Sequence, residues 1–181
     1  MDTTGADGVD RHPDVITEPL GNAIDPDHFT PRLLALLSNA LVWRESHELR
    51  RRFGLGTNDW RVISSLGVRP GMAATDIAEY TSMNKAVVSK SVSVLTDRRL
   101  IVLLEGPRGS RPMFLTRAGA EMHDMMLPIS LRGQEIVLSH LAAEQITQLN
   151  DLLLAMLKET RALMTLESEA GVASAARNER A

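Results

Sequence analysis

The segment that most restricts the possible folds of this chain runs from Asn84 to about Arg99. Val88, Val92 and Leu95 recur at the spacing of one helix face, which predicts a helix with a single buried stripe. Asn84 is suited to cap the N-terminus of that helix. The opposite face must then point to solvent. It consists of short or cationic side chains, namely Lys85, Ala86, Ser89, Lys90 and Ser93.

The neighbouring sequence predicts a helix-turn-helix followed by a β-hairpin. A short helix from about Thr75 to Tyr80 comes before the central segment, and only three residues, 81–83, separate the two. After it follow the apolar run LIVLLEG, a loop rich in Pro, Gly and Arg, and the run MFLT. Two short strands around a basic loop are typical of a wing. Residues 57–116, approximately, are therefore predicted to form a winged helix-turn-helix.

Longer helices are predicted on both sides of this unit. The first covers about 30–53, with Thr30 as its expected cap, and Asn58 is expected to cap the next helix. The region of about 117–165 contains a long helix, which Pro128 is expected to kink or break, and a last amphipathic helix. The leucine-rich faces of the flanking helices exceed what the central unit can cover. We therefore expect a second copy of the chain to bury part of them.

The charge is distributed unevenly along the chain. Residues 1–28 contain seven acidic residues and one arginine without any periodicity, and they are predicted to form a flexible acidic arm. Residues 167–181 are predicted to form a flexible tail, which leaves one globular domain at 29–166. Within it, residues 84–111 contain six Lys or Arg and two acidic residues. The net charge of −3 thus conceals a local positive charge suited to phosphates.

The composition excludes several classes of protein. The chain has no cysteine, which excludes disulfides, thiolate zinc sites and cysteine redox switches. No apolar run reaches the roughly 18 residues of a membrane span, and the N-terminus is acidic, so we expect a cytoplasmic protein that does not enter a membrane. No histidine pair has helical metal spacing, and neither a phosphate loop nor a nucleophile elbow occurs. We therefore expect no enzyme activity, metal or cofactor.

Three separated segments resemble the MarR family in order and spacing, between about Phe29 and Leu166. They are NDWRVISSL, ATDIAEYTSMNKAVVSKSVSVLTDRRLIV and FLTRAGAEM. The resemblance implies a mainly α fold: a winged helix-turn-helix with flanking N- and C-terminal dimerisation helices and a small antiparallel β-hairpin wing. It also implies a homodimeric transcription regulator, most often a repressor, that binds an inverted repeat in double-stranded DNA. Each fourth helix would enter a major groove and each wing a minor groove.

The expected DNA-binding residues lie on the fourth helix and the wing: Asn84, Lys85, Ala86, Ser89, Lys90, Ser93, Arg98, Arg99, Arg108 and Arg111. Lys85 suits a phosphate, whereas Ser89 and Lys90 are placed to reach base edges. Lys90 stands where the family has arginine, so two-pronged guanine readout is not expected. The wing lacks the Asp-x-Arg element of the family, and Arg99 stands where relatives often have glycine. A solvated charged face is the alternative interpretation of the cluster, and Asn84 can be a cap alone.

The resemblance further implies a small organic effector, because many MarR-family members release DNA when an aromatic acid binds between the two lobes. The segment LLSNALVWRESHELRRRFGL is similar to branches associated with the catabolism of aromatic compounds, which favours an aromatic carboxylate. The expected effector-binding residues are Ser38, Trp43, His47 and Trp60, with core packing as the alternative for both tryptophans. The alternative function is a winged-helix dimerisation or protein-interaction module without DNA specificity of its own. Lys85 and Lys90 favour DNA binding over that alternative.

Overall fold

The computed structural model describes residues 15–178, with side chains described for 15–160 except that of Arg108. The helices are α1 (Thr30–Phe53), α2 (Thr57–Val68), α3 (Ala74–Thr81), α4 (Lys85–Asp97), α5 (Arg117–Leu138) and α6 (Ala143–Asn178). The strands β1 (Ile101–Leu103) and β2 (Met113–Leu115) pair antiparallel, with Val102 opposite Phe114. This confirms the predicted mainly α fold with a hairpin wing. None of the described helices is long and apolar enough to cross a membrane.

One core joins the winged helix-turn-helix to the flanking helices α1 and α5. Five helices each contribute a side chain with no exposed surface: Leu49, Ile63, Ile77, Leu95 and Met126. The hairpin adds Met113, which is 1% exposed. Val88 is fully buried beside Leu95, and Val92 packs against the same cluster, so the predicted stripe of α4 is confirmed. Burial of this stripe fixes which face of α4 points outward.

Two of the predicted helix caps are wrong, because Thr30 and Asn58 each lie inside the first turn of their helix. The cap position of α1 is Phe29, which makes no side-chain cap bond. The cap position of α2 is Gly56, which has no side chain. Its backbone amide donates instead to the carboxylate of Asp59, at 2.8 Å. The capping group of α2 therefore comes from within the helix and not from the residue before it.

Helix α5 is continuous through Pro128, so the predicted break does not occur. Proline cannot donate a backbone hydrogen bond, and it removes one bond from the helix. The lost bond is the one to the carbonyl of Asp124, four residues earlier. Arg44 of α1 donates to a different carbonyl, that of Ile129, at 3.0 Å. The guanidinium passes close over Gly133, where a Cβ would stand 3.4 Å from Nη1. The packing of α1 thus supports α5 beside its proline.

The last helix extends further than the apolar pattern indicated. It begins at Ala143 and continues to Asn178, into the segment for which a flexible tail is predicted. Residues 15–29 form no helix or strand, and residues 1–14 and 179–181 of the predicted arm and tail lie outside the described residues. Three leucines of α6 are largely exposed in the single chain: Leu152 at 65%, Leu154 at 58% and Leu157 at 60%.

Candidate nucleic-acid interface

The outward face of α4 is a continuous exposed stripe of small and cationic side chains. Lys85, Ser89, Lys90 and Ser93 are all exposed, and so is Ala86 between them. The Ser93 hydroxyl donates to the carbonyl of Ser89, one turn earlier, at 3.1 Å. The short side chains leave the helix backbone accessible to a large partner, while the two lysines supply positive charge.

The N-terminus of α4 lies at one end of this stripe. The side chain of Asn84 accepts a hydrogen bond from the amide of Ala86 at 2.8 Å, which confirms the predicted cap. The first turn of α4 contains no acidic residue. The partial positive charge of the helix end is therefore reinforced by Lys85 and is not neutralised within that turn.

The wing places a further cation beside α4. Arg111, in the loop between the strands, is exposed, and it lines a cleft of about 490 Å³ together with Ser89 and Ser93. The cleft lies between α4, the start of α3 and the hairpin, and Asp97 also lines it. The helix and the wing thus present one shared surface. Arg108 was predicted to act with Arg111, but its side chain lies outside the described part of the chain.

The two arginines that follow α4 have different environments. The guanidinium of Arg98 donates to the carbonyl of Phe53 at 2.8 Å and to that of Gly54 at 3.0 Å, at the end of α1. Arg98 and Arg99 are both exposed, but the structure gives the side chain of Arg99 no protein partner among the described residues, and its carbonyl accepts a bond from the Thr116 hydroxyl at 2.8 Å. Sequence reasoning gave both arginines the same role, but the structure gives Arg98 two protein partners.

A cavity of about 420 Å³ lies between α1, α2 and α5. Two of the four predicted effector residues, Ser38 and Trp60, line it. Sequence reasoning missed the charged groups there. Glu45 accepts a hydrogen bond from the Ser130 hydroxyl, and Arg61 is half-buried and takes part in none of the ion pairs among the described residues. The cavity thus combines apolar walls with a carboxylate and a guanidinium.

The other two predicted effector residues lie elsewhere. Trp43 and His47 stack on each other with ring centroids 5.8 Å apart, and Trp43 is 73% exposed. With Ser46, Arg50 and Arg51 they line a separate cleft. The structure does not bring them to the cavity of Ser38 and Trp60, because helical spacing puts Trp43 and His47 on a different face of α1 from Ser38.

The family model of the MarR family matches residues 53–112, which extend from the end of α1 through the wing loop. Over this segment, about a third of the chain, the sequence is similar to the MarR family. No curated protein sequence matches the chain.

Solved structures extend the likeness to MarR-family proteins over most of the chain. The MarR/EmrR family transcriptional regulator from Acinetobacter sp. ADP1 is 23% identical, with a TM-score of 0.70 over 76% of this chain and 98% of that one. The MepR–DNA complex of S. aureus is 18% identical, with a TM-score of 0.66 over 75% of this chain and 99% of that one. The PcaV regulator from Streptomyces coelicolor, in complex with its natural ligand, is 20% identical, with a TM-score of 0.64 over 76% of this chain and 98% of that one. At these identities the likeness shows the fold, which is that of MarR-family transcriptional regulators.

Backbone contacts hold the wing loop at the point where the Asp-x-Arg element of the MarR family is missing. The amide of Gly106 donates to the carbonyl of Ser110 at 2.9 Å, and the amide of Ser110 donates to that of Pro107 at 3.1 Å. A Cβ on Gly106 would lie 2.4 Å from the Ser110 hydroxyl oxygen and 2.8 Å from Cδ of Pro112. These backbone contacts therefore close the loop tightly at its base.

Proposed function

We propose that this chain is a homodimeric, sequence-specific DNA-binding transcription regulator. The observation that carries the proposal is the cleft shared by Ser89 and Ser93 of α4 and Arg111 of the wing. It aligns the exposed helix face with the wing, so that both elements can contact one duplex, the helix in a major groove and the wing in the adjacent minor groove. The positive charge of residues 84–111 suits this surface to phosphates.

The proposed contacts follow from the chemistry of each side chain. Lys85, at the N-terminus of α4, faces a phosphate, while Ser89 and Lys90 reach base edges. Small residues on the same stripe allow the helix backbone to approach the groove. The full set of proposed contacts is Asn84, Lys85, Ala86, Ser89, Lys90, Ser93, Arg99, Arg108 and Arg111.

The exposed leucines of the flanking helices support the homodimer. Leu152, Leu154 and Leu157 of α6 expose apolar surface that a single chain leaves in water, and Leu36 and Leu37 of α1 are 51% and 45% exposed. A second copy with the same surface covers both sets at once in a two-fold interface. Two-fold symmetry in the protein calls for an inverted repeat in the DNA, with half-site centres about 10 base pairs apart.

Selection of bound duplexes from a random pool tests DNA binding directly. We expect inverted repeats with that spacing, and an affinity that falls steeply as salt rises because Lys and Arg side chains displace counterions. Recovery of single asymmetric half-sites would contradict the dimer. If no duplex is enriched, the chain is better explained as a winged-helix protein-interaction module.

We also propose that this regulator is a repressor, and that a small organic acid, such as an aromatic carboxylate, binds the cavity between α1, α2 and α5 and releases it from DNA. Arg61 supplies a cation for the carboxylate, Trp60 and Ile129 supply apolar walls, and Ser38 supplies a hydroxyl. A volume of about 420 Å³ lies in the range of small-molecule sites. The PcaV structure, which contains the natural ligand of that protein, supports ligand binding by this fold. Release from DNA requires that the effector bind the DNA-free state more tightly.

Calorimetric titration of aromatic carboxylates against the free protein and the operator complex tests this proposal. Thermodynamic coupling is reciprocal, so operator DNA is expected to weaken effector binding by the same factor as the effector weakens DNA binding, typically 5- to 150-fold. Arg61→Gln is expected to lower effector affinity, while Trp43→Ala, outside the cavity, serves as the matched control. The proposal would be contradicted if both variants lost effector affinity equally. It would also be contradicted if an aromatic carboxylate bound tightly without any change in the affinity of the protein for DNA.

A further inference from the structure

We infer that Arg98 is a positioning residue that fixes the recognition helix α4 to the end of α1, and that it does not contact DNA. The inference rests on the proposed DNA-binding function. The Nη1 atom donates to the carbonyl of Phe53 at 2.8 Å, and Nη2 donates to that of Gly54 at 3.0 Å. Arg98 directly follows the last residue of α4, while the two carbonyls terminate α1. One side chain thus bonds the ends of two helices that are more than 40 residues apart in sequence.

The end of α1 provides the electrostatic reason for this contact. The last carbonyls of a helix lack partners within the helix, and the partial negative charge there favours a cation. Phe53 is the last residue of α1 and Gly54 is its C-cap. The planar guanidinium matches two neighbouring carbonyl oxygens with two parallel N–H groups, a geometry that an ammonium group does not reproduce.

Three other cations, Arg50, Arg51 and Arg52, lie in the last turn of α1, and among the described residues none of their side chains bonds the carbonyl of Phe53 or Gly54. Arg51 and Arg52 donate to the carboxylate of Glu48 at 3.0 and 2.9 Å, and the bond from Arg51 is the main reason why the pKa of that carboxyl lies below its usual range. Arg98 is therefore the residue that bonds the terminal carbonyls of α1 from outside the helix.

The backbone of Gly54 is shaped to admit the guanidinium. Its φ of +63° lies in the left-handed region that favours glycine. A Cβ at this position would stand 3.1 Å from Nη2 of Arg98. Gly54 therefore ends α1 and leaves room for the Arg98 side chain, which bonds the end of that helix.

The same helix also borders the proposed effector cavity. Ser38 and Glu45 of α1 line the cavity, and the helix then continues without interruption to the carbonyls that Arg98 holds. Ser38 and Phe53 are 15 residues apart, about 22 Å along a helix axis. A shift of α1 on effector binding would thus be passed to α4 through Arg98.

Two substitutions distinguish positioning from phosphate contact. Arg98→Gln removes the charge, and Arg98→Lys keeps the charge but loses the paired geometry. We expect both variants to bind the selected operator about tenfold more weakly than the unaltered protein. The slope of log affinity against log salt should stay unchanged in both. Lys85→Gln, at the proposed phosphate contact, is the control, expected to reduce the slope by about 0.9 per lost phosphate contact, or about 1.8 per dimer.

The outcomes separate the two proposals. If Arg98→Lys binds the operator as tightly as the unaltered protein, or if Arg98→Gln reduces the salt slope as Lys85→Gln does, Arg98 is a phosphate contact and the inference is wrong. If the unaltered protein enriches no duplex, the proposed function itself fails. Affinities are compared per active dimer, by stoichiometric titration, so that partial unfolding does not imitate weaker binding. Should Arg98→Gln fail to fold, Arg98→Lys decides alone, because the two roles predict opposite results for it.

Discussion

At Gly119, the first turn of α5 lies against the backbone of Leu100. A Cβ there would stand 1.9 Å from the Leu100 carbonyl oxygen, which is held in place by its own hydrogen bonds. We expect Gly119→Ala to lower the free energy of unfolding by more than about 3 kcal/mol, as measured by urea denaturation. The matched control is Gly67→Ala in α2, where a Cβ would meet the ring of His123 at 3.4 Å. A change below about 1 kcal/mol is expected there, and equal losses in both variants would contradict the steric argument.

The two lysines of α4 allow a second test at the residue scale. Lys90→Ala is expected to weaken operator binding about tenfold and to alter the motif recovered from a random pool, because it removes a base contact. Lys85→Ala is expected to weaken binding to all duplexes alike and to reduce the salt slope, because it removes a phosphate contact. An unchanged motif after Lys90→Ala would assign base reading to other residues. Anisotropy titrations at several salt concentrations measure both effects.

Individual residues also show where sequence reasoning reached its limit. The stripe of α4 was predictable because Val88 and Leu95 define its buried face from helical spacing alone. The same spacing, applied to α1, would have separated Trp43 from Ser38, since five residues rotate a helix by about 140°. The contact of Arg98 with Gly54 was not predictable, because it depends on how α1 packs against α4.

At the scale of elements, the cap of α4 can be separated from its contact with DNA. Asn84→Asp keeps an oxygen that accepts from the amide of Ala86, so we expect the free energy of unfolding to change by less than about 0.5 kcal/mol. The new negative charge at the phosphate-facing end should nevertheless lower operator affinity. Asn84→Ala removes the cap and is expected to cost about 1 kcal/mol. Unchanged operator affinity in the Asp variant would leave Asn84 with a capping role alone.

Local signals predicted the middle of the chain better than its flanks. The cap of α4 and the hairpin depend on residues close together in sequence, and both were predicted. The starts of α1 and α2 were misplaced because their cap positions, Phe29 and Gly56, provide no capping side chain. For α2 the sequence did contain a capping signal, because the carboxylate of Asp59, in the first turn, can accept from the backbone amide at the helix start. Pro128 indicated a break, but the contact from Arg44 that supports α5 there is a long-range one.

At the scale of the whole molecule, the exposed leucines of α6 predict the effect of losing the homodimer. Leu154→Glu combined with Leu157→Glu is expected to give a monomer by light scattering. Operator affinity should fall on the order of a hundredfold, because each half-site is then bound separately. Val68→Glu is the control, since Val68 is 66% exposed at the end of α2, outside the leucine surface. A dimer that survives both α6 substitutions would show that other helices form the interface.

At Arg99, selection for stability and selection for DNA binding favour different amino acids. Its φ of +59° is a conformation that arginine adopts at a cost and that glycine or asparagine adopts readily. In a library with every amino acid at this position, survival after heating should enrich Gly and Asn. Survival that depends on operator occupancy should instead enrich Arg and Lys. The arginine found at position 99 would then indicate that DNA binding has been selected more strongly than stability at this position.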